Sequence, residues 1–182
     1  MAEYSYELKI PLARVAVVIG TQGRVKKEIE EATGTNIQID SAEGDVFLTG
    51  DDALGLYTAR EVITAIGRGF NPELAKLLLK QDYASERIDI DDYAKTKKHE
   101  IRVRGRVIGA EGKARQVIEE LTDCHVSVYG KTITIIGEVG SVTICRAAIE
   151  KLLSGSQHSS VYRWLEKQRK EIKRKKAIEG FE

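Results

Sequence analysis

The chain carries two short loops in which paired glycines could hold a phosphate backbone. The first reads Gly20-Thr21-Gln22-Gly23 followed by Arg24, and the second reads Gly109-Ala110-Glu111-Gly112 followed by Lys113. Glycines remove the side chains that would block the approach of a sugar-phosphate strand. Where such a loop opens a helix, the free backbone N–H groups and the helix dipole favour a phosphate. The two loops therefore indicate two clamps for nucleic acid.

The loops belong to a longer internal repeat. Residues 17–40 align without gaps with residues 106–129, and eight of these 24 positions are identical. Both copies place Val-Ile directly before the first glycine and an Ile-Glu-Glu run in the following helix. A repeat of this length indicates two copies of one structural unit.

The periodicity of apolar residues predicts the same order of elements in each copy: strand, helix, helix, strand, strand, helix. In the first copy we expect these elements at residues 7–10, 12–19, 24–33, 35–40, 45–49 and 52–66. In the second we expect them at 86–90, 101–108, 113–122, 126–129, 132–136 and 139–153, with a polar insertion at 91–100. A short helical linker is predicted within 70–82. A final helix is predicted over 160–176, with an apolar stripe that includes Trp164 packed on a domain and a basic face outside.

Composition limits the class of protein. At 182 residues, with 42% hydrophobic and 31% charged residues, the chain is typical of a soluble protein of one or two domains. We expect no membrane span, and the first residues show no signal-peptide pattern, which favours a cytoplasmic location. Cys124 and Cys145 lack metal spacing and are expected to be reduced, buried core residues. The three histidines are scattered, so we predict no metal site and no cofactor.

The net charge of +1 conceals two basic blocks. Residues 95–115 carry eight lysines and arginines against two glutamates, a local charge of +6, and residues 158–178 carry the same balance. The stretch 12–34 around the first loop is only +1. A polyanion responds to such local fields, so we expect the second loop to bind more strongly than the first. The basic face of the final helix could bind RNA phosphates, a protein or nothing.

An enzymatic alternative would use Gly105, Gly109 and Gly112 as a dinucleotide-binding loop. Such a loop follows a strand directly in a parallel βαβ unit and has G-x-G-x-x-G spacing. Here a helix is predicted before the glycines, and no nucleophile elbow or Walker loop is present. We therefore expect a protein that is not an enzyme.

Two G-x-x-G loops, each within this order of elements, resemble KH domains. The resemblance implies an α+β fold of two type I KH domains plus a C-terminal helix. Each domain has the order β-α-α-β-β-α, with a three-stranded antiparallel sheet packed with three helices. We expect a first KH domain at 1–70, a helical linker at 71–84, a second KH domain at 85–154 and a basic helix at 155–182. The function implied is binding of single-stranded RNA or DNA, with about four nucleotides held beside the loop.

The whole chain resembles a narrower family, the tandem-KH ribosome-assembly factors of archaea and eukaryotes called Dim-two or partner of Nob. The resembling stretches are 104–112, 127–132 and 158–165. This resemblance implies binding near the 3′ end of small-subunit rRNA during ribosome biogenesis. It implies as partners the Nob endonuclease and the alpha subunit of translation initiation factor 2, and we expect the chain to be a monomer. A tandem-KH protein associated with the exosome, or one regulating mRNA, is the rival interpretation.

The expected RNA-binding residues are the loops and the cations beside them. They are Gly109, Ala110, Glu111, Gly112, Lys113, Arg102, Arg104 and Arg106 in the second copy, and Gly20, Thr21, Gln22, Gly23, Arg24 and Lys27 in the first. We expect an aliphatic groove floor formed by Ile19, Ile29, Ile37, Ile108, Ile118 and Val126. The loops depart from the usual KH pattern because their variable positions lack Lys or Arg, and Glu111 would repel a phosphate that it faced directly.

Overall fold

The computed structural model describes residues 3–180, and their contacts divide the chain into two compact units between Ser85 and Glu86. The first unit contains β1 (Tyr4–Lys9), α1 (Leu12–Ile19), α2 (Arg24–Thr33), β2 (Thr35–Asp40), β3 (Asp45–Gly50), α3 (Ala53–Gly67) and α4 (Pro72–Ala75). The second contains β4 (Tyr83–Asp89), which begins just before the division, α5 (Lys97–Ile108), α6 (Lys113–Thr122), β5 (His125–Tyr129), β6 (Thr132–Glu138), α7 (Val139–Leu153) and α8 (His158–Glu179). The predicted α+β class and the predicted order of elements are confirmed.

Each unit has one three-stranded sheet, in which the third strand in chain order lies in the middle. The strand orders are β1-β3-β2 and β4-β6-β5. In the first sheet, Leu48 of β3 lies opposite Tyr6 on one side and Ile37 on the other, in antiparallel register. In the second, Val126 lies opposite Ile135. The order leaves β2 and β5 at an edge of their sheets, next to the helices that carry the glycine loops.

Both cores form where the sheet meets the helices. In the first unit, Ile29 of α2, Ile37 of β2 and Ile63 of α3 are fully buried. The second core contains Ile118, Ile133, Ile135 and Ile149. Burying one such side chain stabilises a fold by about 1.5–3 kcal/mol. This is how two small domains of this size can each fold.

The two cysteines belong to the second core. Both are free and buried, as predicted. The hydrogen bond that Cys145 shares with Cys124, together with burial, raises the pKa of the Cys145 thiol. That thiol therefore stays protonated and behaves as a small apolar side chain.

Each unit continues past its third long helix in the same way, which extends the internal repeat. Helix α3 is followed by Gly69 and α7 by Gly155, both with φ of 101°. The chain then turns back as a further helix, whose inward residue is Ala75 in α4 and Val161 in α8. Thus α4, with the 3-10 turn that follows it at Lys76–Leu79, is the counterpart in the first unit of the first turns of α8.

Several elements begin earlier than the apolar pattern predicts. Helix α5 starts at Lys97 instead of residue 101, because the Thr96 side chain accepts a hydrogen bond from the His99 N–H at 3.2 Å and caps the helix. Its first turn is polar, so periodicity alone does not reveal it. Strand β1 likewise starts early, in exposed residues, and β4 starts at Tyr83, in partly exposed residues. Helix α8 starts at His158.

Candidate nucleic-acid interface

The two glycine loops have the same backbone conformation. Gly20 and Gly109 have φ of 75° and 74° with ψ of 173° and 176°, a region that only glycine readily occupies. Two residues later the chain is left-handed, with φ of 56° at Gln22 and 54° at Glu111. No side chain caps the helix that follows either loop. The Arg24 and Lys113 N–H groups donate to the Thr21 and Ala110 carbonyls inside the loops. The following N–H groups in the first turn of α2 and α6 have no side-chain cap and can meet an anion.

The glycines of each loop have different reasons to be glycine. A Cβ on Gly109 would lie 2.6 Å from the Ala114 Cβ and 2.7 Å from its backbone N. The equivalent Cβ on Gly20 would lie 2.4 Å from the Val25 Cγ2. At Gly23 and Gly112, by contrast, no atom lies within 4 Å of such a Cβ. The first glycine is thus required for packing, whereas the second leaves open space for a strand to approach.

This difference predicts unequal costs of alanine. Gly109→Ala should destabilise the second unit by about 3 kcal/mol, because it combines a disallowed backbone conformation with a steric overlap. Gly112→Ala should cost only about 1 kcal/mol, the penalty of a left-handed alanine with free space around it. Urea denaturation of both variants checks the prediction, and equal losses of stability would contradict the packing role of Gly109.

The cations of α2 in the first unit are each paired with a glutamate of their own helix. Arg24 Nε lies 2.8 Å from Glu28 Oε1, Lys26 pairs with Glu30 at 3.8 Å, and Lys27 pairs with Glu31 at 3.9 Å. Lysine and arginine side chains held in this way offer less positive potential to a phosphate. Of the predicted first-loop contacts, Thr21 and Gln22 are exposed but uncharged.

The linker adds a further cation to the same glutamate. Lys76 Nζ lies 2.7 Å from Glu28 Oε2 and 3.0 Å from Glu73 Oε1. The hydrogen bond from Lys76, with a second from Arg24, lowers the pKa of Glu28, so this carboxylate is charged. The hydrogen bond to Glu28 raises the pKa of Lys76. On the flank of α2 beside the first loop, Arg24 and Lys76 are therefore both paired with acidic side chains.

The second loop keeps its charge. Lys113 opens α6 and is exposed, and it forms no ion pair with any residue in the described range 3–180. The positions equivalent to Lys27 and Glu28 are Gln116 and Val117. Of the three α2 pairs, only Lys26–Glu30 is repeated, as Arg115–Glu119 at 3.4 Å. Arg102, on the helix before the loop, is also exposed and without an ion pair among the described residues. These two cations are the ones best able to meet a phosphate.

Two other predicted cations in this unit have protein partners. Arg104 Nη2 lies 3.1 Å from Glu100 Oε1. Arg106 Nε donates to the Leu152 carbonyl at 3.0 Å, and its Nη2 donates to the Ser156 carbonyl. In this conformation, the Arg106 guanidinium ties α5 to the end of α7. Sequence reasoning missed this contact because the partners are far apart in the chain.

The first unit has an equivalent arginine contact, made by a residue at a different position of the repeat. Arg14 Nε donates to the Ile66 carbonyl at 2.8 Å and Nη2 to the Phe70 carbonyl at 2.7 Å. These carbonyls occupy the places of those that Arg106 binds in the second unit. An arginine that caps the third long helix is thus a feature of both copies.

The predicted groove floor needs correction. Ile29, Ile37, Ile118 and Val126 are at most 2% exposed and belong to the cores. Their side chains lie on the inward faces of α2, β2, α6 and β5, so they cannot also form a surface for bases. Ile19 and Ile108 are partly exposed, and of the six they alone remain candidates.

An exposed aliphatic stripe lies instead on the helix before each loop. In α5 it consists of Ile101, which is 59% exposed, then Gly105 and Ile108. In α1 the equivalent residues are Leu12, 58% exposed, Ala16 and Ile19. Spacings of four and three residues place each set on one helix face that leads to the first glycine. This spacing was visible in the sequence and could have identified the stripe.

The open edges of β2 and β5 are covered by glutamates at equivalent positions. Glu30 Oε1 accepts from the Ile37 N–H at 2.8 Å, and Glu119 Oε1 accepts from the Val126 N–H at 2.8 Å. In the second unit, Arg115 Nη1 also donates to the Val126 carbonyl at 3.2 Å. A base that read this strand edge would have to displace these side chains. The aliphatic stripe and the glycine loop need no such displacement.

The arrangement does not fit a dinucleotide-binding enzyme. Both loops follow helices, α1 and α5, and both sheets are antiparallel, whereas that site requires a loop after a strand of a parallel sheet. Residues 3–180 contain no group of three or more side chains of the types that ligate metals, placed so as to hold an ion. Within the same range, no helix combines the length and the apolar character needed to cross a bilayer.

Comparisons with known proteins agree with this geometry. A family model described as the eukaryotic-type KH domain, type I, matches residues 84–170, and a KH-domain model matches residues 5–65. The first match runs well into α8. A KH domain-containing protein of Methanocaldococcus jannaschii is 48% identical over 171 residues, which cover 92% of this chain and 75% of that protein.

Three solved structures are similar over nearly the whole chain. The crystal structure of Dim2p from Pyrococcus horikoshii OT3 has a TM-score of 0.84 and 47% identity, covering 90% of this chain and 99% of that one. A complex of a/eIF2alpha, aDim2p and rRNA from the same organism matches with a TM-score of 0.86 and 46% identity, covering 93% and 96%. The crystal structure of a protein of unknown function from Aeropyrum pernix has a TM-score of 0.93 and 35% sequence identity, and the match covers 100% of this chain and 98% of that one.

Proposed function

The chain belongs to the KH-domain family, within the tandem-KH ribosome-assembly factors that include archaeal Dim2p, and from this premise we propose that it binds single-stranded RNA during small-subunit biogenesis. The RNA is the region near the 3′ end of small-subunit rRNA. The similar aDim2p has been crystallised with rRNA and a/eIF2alpha, which supports both this ligand and the alpha subunit of initiation factor 2 as a partner. The Nob endonuclease is a further proposed partner of a monomeric, cytoplasmic protein that is not an enzyme.

The observation that carries the proposal is the contrast between the two loops. Lys113 and Arg102 are exposed cations without ion pairs among the described residues, whereas Arg24 and Lys27 are paired within α2. Gly112 leaves open space beside uncapped N–H groups of α6. A sugar-phosphate strand that lies against this loop meets backbone donors and unpaired positive charge at the same point.

We assign the proposed contacts accordingly. The main contacts are Gly109, Ala110, Glu111, Gly112, Lys113 and Arg102, with Gly20, Thr21, Gln22, Gly23, Arg24 and Lys27 as the weaker set. Arg104 contributes once it leaves Glu100, and Arg106 supports the frame through the end of α7. Bases rest on the aliphatic stripe of α5. We propose KH domains at 1–70 and 85–154. The linker at 71–84, whose last two residues are the first of β4, packs with the first unit, and α8, within the basic segment at 155–182, packs with the second.

Crosslinking in cells tests the function. Ultraviolet crosslinking with site mapping should enrich the 3′ region of small-subunit rRNA, and the Gly112→Asp variant, expressed at the same level, should lose most of this signal. Crosslinks scattered over messenger RNAs would instead support a regulator of mRNA. Crosslinks at the expected site that persist in Gly112→Asp would leave the rRNA assignment intact but remove the second loop from the contact.

A further inference from the structure

Helix α8 presents two different faces, and its outer face is a row of cations. Val161 and Leu165 are 1% exposed and pack into the second core. On the opposite side, Arg163, Lys167 and Lys170 are exposed. With Arg174 they follow one another at intervals of four, three and four residues, which at 100° per residue places all four on one narrow face.

The cations of this row are not neutralised. None of the four forms an ion pair with another residue of the described chain, although Glu166 and Glu171 lie on the same helix. Each like-charged neighbour at this spacing destabilises a helix by about 0.2–0.5 kcal/mol. The contrast with α2 is direct, because there the three cations are each matched with a glutamate.

The position of the row is fixed by the packing of α8. At its start, His158 Nε2 lies 2.7 Å from the Arg106 carbonyl oxygen, one turn of helix before Gly109. Farther along, Arg169 Nη1 donates to the Glu120 carbonyl near the end of α6. Lys151 Nζ lies 4.7 Å from the centre of the Trp164 ring and holds that side of the helix against α7. Helix α8 therefore runs along α6, whose first residue is Lys113, and the row cannot turn inward.

From these observations we propose that the outer row of α8, formed by Arg163, Lys167, Lys170 and Arg174, is a second RNA-binding surface of the second unit, specific for the phosphate backbone and indifferent to base sequence. This inference rests on the proposed function, because it assumes that RNA lies on the Lys113 loop. Steps of three or four residues along a helix rise about 4.5–6 Å, so each cation can meet a separate phosphate of a strand that continues past the loop.

An acidic protein surface is negatively charged, like RNA, and could also pair with these cations. RNA fits the arrangement better. Between Arg163 and Arg174 this face has no exposed aromatic or large aliphatic side chain, and Ile178 lies one turn beyond it, whereas protein interfaces depend on a core of apolar anchors. It also has the same sign as the exposed Lys113 and Arg102 of the same unit. Phosphate contacts that position a strand without reading bases are made by such unpaired cations.

The test compares two triple variants with the same change of charge. Arg163→Gln, Lys167→Gln and Lys170→Gln remove most of the row, while Lys173→Gln, Lys175→Gln and Lys176→Gln remove three cations of the same helix that lie off the row. Glutamine has nearly the helix propensity of lysine and arginine, so both variants should fold. The probe is a short fluorescein-labelled single-stranded RNA with the 3′-terminal sequence of small-subunit rRNA, bound to the full chain at several salt concentrations.

The row variant should bind on the order of 10- to 100-fold more weakly at about 0.1 M salt, and the salt slope should fall by about 2, from about 0.7 for each lost contact with a single strand. The off-row variant should lose less than half as much slope. Equal losses in the two variants would show diffuse attraction and overturn the row. The proposal would also be overturned if the row variant kept the salt dependence of the unmodified protein while Gly112→Asp still bound RNA weakly. The row would then be a surface for an acidic protein. Failure of the unmodified protein to bind this RNA would overturn the proposed function itself.

Discussion

Gly112→Asp should weaken binding of single-stranded RNA by about 30-fold, or about 2 kcal/mol, while Gly23→Asp should weaken it less than about 3-fold. The aspartate at position 112 puts a carboxylate into the open space beside the second loop, where the phosphate is expected. It would also attract Lys113 and compete for the first-turn N–H groups of α6 that no side chain caps. At position 23 the same carboxylate enters a surface whose cations already have glutamate partners, so less binding energy can be lost.

The two substitutions are matched in their structural cost. Gly23 and Gly112 have φ of 74° and 75°, and at neither position does any atom lie within 4 Å of the point that a Cβ would occupy. Aspartate tolerates this left-handed conformation better than most residues. Fluorescence anisotropy measures the affinities, and urea denaturation should show nearly equal stabilities. Gly112→Asn separates charge from bulk, since it should retain most of the binding.

A larger loss from Gly23→Asp than from Gly112→Asp would reverse the ranking of the loops. It would mean that RNA contact breaks the ion pairs of α2, so that Arg24 and Lys27 become available in the complex. A salt slope that falls more in Arg24→Gln than in Lys113→Gln would support that reading.

The order of elements could be predicted because each copy reports its own periodicity. Helices α1 and α7 begin and end at the predicted residues, 12–19 and 139–153. The two copies also predict the same order of elements. The three-stranded antiparallel sheet is implied by the resemblance to KH domains and does not follow from the periodicity. The start of α5 was missed because its first turn contains Lys97 and Lys98 instead of apolar residues, and only the cap at Thr96 marks it.

The site was predicted in part, for reasons that concern the distance between interacting residues. The glycine loops are local, so their backbone could be inferred from sequence. The ion pairs of α2 are also local, and they appear in the sequence as glutamates four residues after each cation. The predicted groove floor is wrong because Ile37 and Val126 lie on the inward faces of their strands and are buried in the cores, so they cannot also form an open surface. The contact of Arg106 with Leu152 joins residues on different helices, and no local pattern encodes it.

The tail provides the other prediction with a large expected effect. A variant that ends at Gln157 should lose at least about 3–6 kcal/mol of stability in the second unit, because it removes the buried Val161 and Leu165. A variant that ends at Ile172 should have a free energy of unfolding within about 1 kcal/mol of that of the full chain, since residues 173–180 are exposed. Circular dichroism during urea denaturation compares the three proteins.

Hydrogen exchange locates the loss. In the variant that ends at Gln157, amides of α6 and α7 should exchange faster, while those of β3 and α3 in the first unit should keep their protection. Unchanged protection of α6 would show that α8 is an appendage that the domain does not need.

The outcome decides how any experiment on the tail must be interpreted. Helix α8 packs along α6, the helix that begins at Lys113. The His158 ring also forms a hydrogen bond with the Arg106 carbonyl. If removal of α8 loosens α6, the glycine loop loses its support, and weaker RNA binding then reports lost structure as well as lost contacts. The variant that ends at Ile172 and the glutamine substitutions on the outer row keep Val161 and Leu165 in place. Only these variants measure what the basic face of α8 contributes to RNA binding. Because the internal repeat includes the first turns of α8, we also expect the family fold to extend at least to Leu165.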